Sequence, residues 1–296
     1  MLTTEQMRQE HANLDLYSNA DLVNAFIKDQ LNAVNAVQDA RSSLCEVIDA
    51  AVPRIAAGGR LIYVGAGTSG RLGLLDSVEL YPTFSWDRSR SIALMAGGDT
   101  ALYEAVEGAE DDVAAGSSDL SLHLPTANDV VFLIAASGRT PYVIGACQRA
   151  RESGSLTVAI VNNGEAPISV IAEHAIVLST GPEVISGSTR LKAGTAQKIA
   201  LNTLSSAIMV RLHKVYGNLM VDLKATNEKL IQRAINLTAF SAGVEIEEAR
   251  TMLERCQFQI KVAIVALKCE VEPIVAQALL NEAQGSIRAA IEKQNN

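Results

Sequence analysis

Long apolar runs are missing from this 296-residue chain. No segment approaches the ~18 consecutive apolar residues that a membrane helix needs, so no membrane span is expected. The first ten residues, Met1 to Glu10, are polar and lack the apolar stretch of a signal peptide, which points to a cytoplasmic protein. Cysteine is scarce: Cys45, Cys147, Cys256 and Cys269 form no CxxC pair and have no histidine at ligand spacing. No zinc site is therefore indicated, and four reduced thiols are the expectation. Basic clusters are also absent, and the net charge is −8. Nucleic-acid affinity rests on phosphate neutralisation by Lys and Arg, so this composition argues against nucleic acid as a partner. Aromatic residues make up only 4% of the chain, and its abundant alanine favours helices and small-residue packing.

What remains is an ordinary globular composition, 48% hydrophobic and 20% charged, in a chain long enough for a large core. Residues 1 to about 17 read as an irregular arm. Apolar residues then recur at helical spacing (Leu22, Ala25, Phe26, Leu31, Val34, Val37), with Ser18 or Asn19 as N-cap, and a second helix carries Leu44, Val47, Ile48, Val52 and Ile55. Near-continuous apolar runs follow at 61–64, 91–95, 130–135, 156–161 and 175–178, mostly separated by helical pattern. Strands buried on both faces in a βαβα order predict a parallel sheet covered by helices on each side. A polar loop at 181–192 precedes a long helix predicted over about 194–216, which Ser188 or Thr189 could cap. A linker is expected near 225–240, then short helices at about 244–255, 258–268 and 272–283, with Ser286 capping a last turn or two.

Two loops stand out because they repeat one design. Leu61-Ile62-Tyr63-Val64 runs into Gly65-Ala66-Gly67-Thr68-Ser69-Gly70-Arg71, and Val130 to Ala135 runs into Ala136-Ser137-Gly138-Arg139-Thr140-Pro141. Hydroxyls and backbone N–H groups at a helix N-terminus make an anion site, so a pair of such loops beyond the carboxyl ends of parallel strands predicts a phosphoryl group. Gly65-x-Gly67-x-x-Gly70 also matches a dinucleotide fingerprint. The acidic residue that fingerprint wants about 20 residues on is absent, since Asp99 stands well beyond that distance, and a dinucleotide has no use for the second loop.

These loops, together with Asp76-Ser77-Val78-Glu79, Ala96-Gly97-Gly98-Asp99, Glu107-Gly108-Ala109-Glu110-Asp111-Asp112 and Thr189-Arg190-Leu191-Lys192-Ala193-Gly194-Thr195-Ala196-Gln197-Lys198, resemble the N-acetylmuramic acid 6-phosphate etherases of the sugar isomerase (SIS) domain superfamily. The resemblance runs from about residue 10 to the C-terminus. It implies an α/β fold: an SIS-type α/β/α sandwich around a five-stranded parallel sheet at 58–225, N-terminal arm and helices at 1–57, and a small UBA-like helical domain at 240–296. It further implies a homodimer, no cofactor, and cleavage of the D-lactyl ether of N-acetylmuramic acid 6-phosphate, a reaction whose chemistry requires no metal. Two positions depart from the family pattern: Tyr81-Pro82 stands where a Pro-Pro pair is usual, and His11 where an arginine is usual.

The reaction needs two proton-transfer groups. In the ring-opened sugar the C1 aldehyde acidifies the C2 proton, and the lactyl oxygen on C3 is a β leaving group. A base at C2 and an acid at the departing oxygen suffice, and two carboxyl groups can share the work if their surroundings differ. By resemblance these are Glu79, which partial burial would suit to act as an acid, and Glu110, with Glu107 as the alternative. Phosphate is assigned to Ser137, Gly138 and Thr140, with Thr68, Ser69 and Gly70 nearby. Arg71 and Arg139 occupy mirror positions, where each could meet phosphate, a surface or a dimer contact. Ser188 and Lys192 are expected to complete the pocket, Glu183 is a further candidate acid or base, and His123 and His174 read as structural. A sugar-phosphate isomerase and a non-catalytic sugar-phosphate sensor, as in glucokinase regulatory protein, are the competing readings.

Overall fold

A computed structural model of the chain describes residues 2–224 and 227–295. By compactness it divides into Met1–Val78 with Arg88–Ser205, and Glu79–Asp87 with Ser206–Asn296.

In the first unit the apolar runs become β1 (Leu61–Gly65), β2 (Ser91–Met95), β3 (Val130–Ile134), β4 (Leu156–Val161) and β5 (His174–Val177). They pair in parallel in the order β2-β1-β3-β4-β5. Every residue of β1, β3 and β4 is buried, as expected of strands covered on both faces, while β2 and β5 at the edges are half-buried. Around the sheet lie α1 (Asn19–Asp39), α2 (Arg41–Ala56), the start of α3 (Gly67–Phe84), α4 (Val113–Leu122), α5 (Pro141–Glu152), α6 (Pro167–Ile171) and the greater part of α7 (Lys192–Arg211). Side-chain caps explain two of the starts. Ser18 accepts from the Asp21 N–H before α1, and Asp112 accepts from the Ala115 N–H at 2.9 Å before α4.

The cap of α7 differs from expectation. Neither Ser188 nor Thr189 supplies it; Glu183 does, its carboxylate oxygens accepting from the N–H groups of Lys192 at 3.2 Å and Ala193 at 2.9 Å. A carboxylate beside a helix N-terminus meets both the free donors and the positive end of the helix dipole. Burial, the dominant influence, nonetheless pushes the Glu183 carboxyl above its usual range, against the two N–H bonds.

The N-terminal arm is three short 3-10 turns, Thr3–Glu5, Gln9–His11 and Leu14–Leu16. Asn163 holds its start: Oδ1 accepts from the Thr3 N–H at 2.8 Å, and Nδ2 donates to the Thr4 hydroxyl at 3.0 Å. Five residues on, Arg8 pairs with the buried Asp29 of α1.

In the second unit two expectations give way. The long helix stops at Arg211, because His213 takes a left-handed φ of 60° and the chain turns into a hairpin, β6 (Val215–Tyr216) against β7 (Leu219–Met220). Gly217, at φ 61°, supplies the turn. The span expected as a linker is α8 (Glu228–Ala242), with Ala225 and Thr226 outside the described residues. Asn227 caps α8 by accepting from the Leu230 N–H, and Ala234, Ile235, Thr238 and Ala239 bury one face. That helical period is interleaved with enough polar residues to look like loop. α9 (Ile246–Arg255), α10 (Ile260–Cys269), α11 (Pro273–Glu282) and α12 (Ile287–Asn295) follow, with Ser286 accepting from the Ala289 N–H. Ile235, Leu253, Ile264, Leu280 and Ile287 belong to the core of this unit. No helix of the described residues is long and apolar enough to cross a membrane.

Candidate active site

The strand order places a topological switch between β1 and β3. From β1 the chain crosses to β2 on one side of the sheet, and β3 then lies on the other, so the segments leaving β1 and β3 part in opposite directions and open a crevice. Register makes the opening level: Gly65 pairs with Ile134, so both hydroxyl-rich loops begin at the same height.

The first loop is forced tight by two glycines. A Cβ on Gly65 would lie 2.7 Å from the Gly70 nitrogen, and one on Gly70 would lie 2.9 Å from the Gly65 oxygen. The fingerprint spacing is therefore explained by strand-to-helix packing, with no dinucleotide required. In the second loop Gly138 has a φ of 62°, and an added Cβ would fall 2.2 Å from Ala166.

Between the loops lies a cavity of about 380 Å³ bordered by Thr68, Ser69, Ser137, Arg139, Thr140 and Glu110, six of the expected site residues. Their hydroxyls are not equivalent. Ser69 donates to Gln197 at 2.9 Å, Gln197 donates to Asn162 at 3.0 Å, and Asn162 donates to the Leu178 carbonyl at 3.1 Å, a buried chain that fixes the loop from behind. Ser137 accepts from the Arg139 N–H at 3.1 Å, which sets the second turn. Thr140 precedes α5 without a side-chain cap bond, and Pro141 at the first helical position leaves the following N–H groups directed out of the helix end.

Glu110 stands exposed on a 3-10 turn, Ala109–Asp111, launched by Gly108 at φ 71°. Within its acidic run, Asp112 is consumed as the α4 cap. Glu110 and Asp111 also border a second cavity of about 400 Å³, which shares Ala66 and Gly67 with the first and adds Arg71 and Glu107.

Other expected residues sit apart. Gly70 and Gly138 shape the loops without lining the cavity, and neither Ser188 nor Lys192 borders it. The Lys192 ammonium is buried, donating to Asp29 at 2.9 Å and to the Pro182 carbonyl at 2.5 Å. Glu79 belongs to the second unit. It is exposed, contrary to the partial burial expected, because Asp76, Ser77, Leu80 and Phe84 form the buried side of α3 and Glu79 lies off it. Asp76 holds that buried side, accepting from Tyr63 at 2.8 Å, Asn202 at 2.5 Å and Ser205 at 3.1 Å. Burial pushes its carboxyl up, and the three donors oppose the shift.

Sequence reasoning missed several contributors. Glu5, Asp111 and Thr189 line the first cavity, and Asn162, Asn163 and Gln197 support it. The Asn162-Asn163 pair directly after a buried strand was a usable signal. Glu5 gave none, because its placement depends on the Asn163 anchor 160 positions away from Thr3. A cavity of about 630 Å³ in the second unit, around Asp222, Phe258 and Lys261, is larger but contains neither phosphate loop. Among the described residues no cluster of three His, Cys, Asp or Glu side chains could hold a metal ion.

Comparison with known proteins fits this geometry. A family model of the glucokinase regulatory protein N-terminal SIS domain matches residues 43–151, and one of the SIS domain matches 111–207. An N-acetylmuramic acid 6-phosphate etherase of Deinococcus radiodurans is 51% identical over 288 residues, covering 97% of this chain and 94% of its own. The chain belongs to the N-acetylmuramic acid 6-phosphate etherase family. Etherases of Enterococcus faecalis and Rubrobacter xylanophilus are 44% and 46% identical, covering 97% and 98% of this chain and 95% and 96% of their own. Against etherase relatives matched at almost full length, the dinucleotide reading of the glycine fingerprint falls away.

Proposed function

We propose that the protein cleaves the D-lactyl ether of N-acetylmuramic acid 6-phosphate, giving N-acetylglucosamine 6-phosphate and D-lactate, in amino sugar recycling or catabolism. The observation that carries this reading is the convergence of both hydroxyl-rich loops and Glu110 on one cavity, in a chain of the etherase family. Thr68, Ser137 and Thr140, with the N–H groups at the starts of α3 and α5, hold the phosphate. Ser69, Gly70 and Gly138 set the loops that present those groups. A base removes the C2 proton, lactate leaves C3 with a proton from an acid, and water adds its oxygen to C3 of the unsaturated aldehyde. Glu110 is one carboxyl group of this exchange, and Glu79, which lines neither cavity, is assigned the other on the family pattern alone. Lys192 and Glu183 act behind the site: one anchors the arm through Asp29, the other starts α7. The test is D-lactate release from the 6-phosphorylated muramic sugar; its absence, or aldose–ketose isomerisation instead, would refute the reading.

A homodimer in the cytoplasm accompanies this proposal. Val23, Ile27, Leu31 and Val34 expose an apolar stripe along α1, with spacing that keeps them on one helix face. Leu75 and Val78 make a second exposed apolar flank beside Glu79, one that a partner subunit would cover. All four cysteines are free, as a reducing compartment keeps them. Light scattering should give twice the chain mass for the wild type and one chain mass for an Ile27→Glu, Leu31→Glu variant. A monomeric wild type would refute the dimer.

A further inference from the structure

We infer that the second cavity seats the lactyl group and that the Arg71 guanidinium binds the lactyl carboxylate. This rests on the etherase reading and deepens it by assigning what distinguishes an ether substrate from other sugar phosphates. A lactyl group presents a methyl and a carboxylate to whatever recognises it. The cavity offers matching surfaces: Met95, Ala96, Ala101 and Val106 line it with small apolar groups, and Arg71 is the cation among its lining residues.

The state of Arg71 is the more telling observation. Four carboxylates, Glu104, Glu107, Glu110 and Asp111, border the same cavity, yet among the described residues none pairs with Arg71. The guanidinium is tied instead to neutral groups, with Nε donating to the Leu102 carbonyl at 3.2 Å and Nη2 to the Ala101 carbonyl at 2.7 Å. A guanidinium has five N–H donors in a planar fork suited to bidentate carboxylate binding, so these two bonds fix its orientation and leave charge and donors for an incoming anion. Arg139, its mirror in the second loop, borders the phosphate cavity. The two arginines that the sequence presents as equivalent thus serve different anions.

Glu110 supports the same division. It lies on the wall common to both cavities, where a sugar in one and a lactyl group in the other would place the ether that joins them. After cleavage, D-lactate would occupy the second cavity alone.

The test compares a ligand that has the lactyl group with one that lacks it. D-lactate release kinetics on the muramic sugar phosphate and calorimetric binding of N-acetylglucosamine 6-phosphate would be measured for the wild type, Arg71→Met, Arg71→Lys and Ala105→Phe. Ala105 lines the second cavity but is exposed, so its substitution obstructs the space with little effect on folding. Expected is a rise of about 10- to 100-fold in KM for Arg71→Met, with partial recovery in Arg71→Lys, and product affinity within about threefold of wild type. Ala105→Phe should show the same split. Equal weakening of both ligands would make Arg71 only a pin for the 101–102 loop, and an unchanged KM in Arg71→Met or Ala105→Phe would also overturn the assignment. A wild type that binds the product but releases no D-lactate would overturn the etherase reading itself.

Discussion

Replacing Glu110 with glutamine is expected to lower kcat for D-lactate release by about 10²- to 10⁴-fold, the range over which a positioned acid or base contributes. Glutamine keeps the size and hydrogen bonding of the side chain but cannot exchange a proton. Because Glu110 is exposed and its side chain makes no hydrogen bond among the described residues, the unfolding transition should not move. Glu79→Gln should behave alike, and the two variants become informative together when substrate is incubated in heavy water. A variant lacking the C2 base exchanges no proton there, whereas one lacking only the acid can still exchange it without releasing lactate. A Glu110→Gln enzyme with wild-type turnover would move the role to Glu107, the neighbour that borders only the second cavity.

Asp29→Ala should cost about 3–5 kcal/mol of stability, the usual penalty for stranding a buried charge. The side chains of Asp29 and Lys192 are 3% and 2% exposed, and their ion pair at 2.9 Å joins α1 to the first residue of α7. Removing the carboxylate leaves the Lys192 ammonium, among the described residues, with the Pro182 carbonyl alone, and detaches Arg8 of the arm from α1 while Asn163 still holds the arm's start. A double variant, Asp29→Leu with Lys192→Met, should recover much of the loss, since apolar pairs of similar volume often replace buried ion pairs at little cost. Urea denaturation measures both. A loss below about 1 kcal/mol in Asp29→Ala would show that water reaches the pair and screens it.

The sheet was legible because strands buried on both faces leave uninterrupted apolar runs, and all five observed strands fall on such runs within a residue or so. The phosphate loops were legible for a related reason: glycine and hydroxyl residues at a strand end have few other uses. Long-range pairing was not legible. Nothing near Lys192 announces Asp29, and nothing near Ser69 announces Gln197, because a buried polar group finds its partner through the fold and not along the chain. The α8 segment is hard to read for a local reason, since polar Gln232, Arg233, Asn236, Thr238 and Ser241 interrupt its apolar residues and two of them, Thr238 and Ser241, lie on the buried face. Glu79 shows the remaining limit. Its neighbours Val78, Leu80 and Tyr81 suggest burial, but helix geometry turns the carboxylate away from Leu80 and into the open.

The most direct measurement of the central claim is the cleavage reaction run in heavy water with the wild-type protein, followed by NMR of the sugar product. Elimination of lactate and addition of water requires loss and return of the C2 proton, so the expected product carries one deuteron at C2 for every D-lactate released. D-lactate released at full rate with ordinary hydrogen retained at C2 would contradict it, because the ether would then have been opened without the proton transfer for which the two carboxylates are assigned.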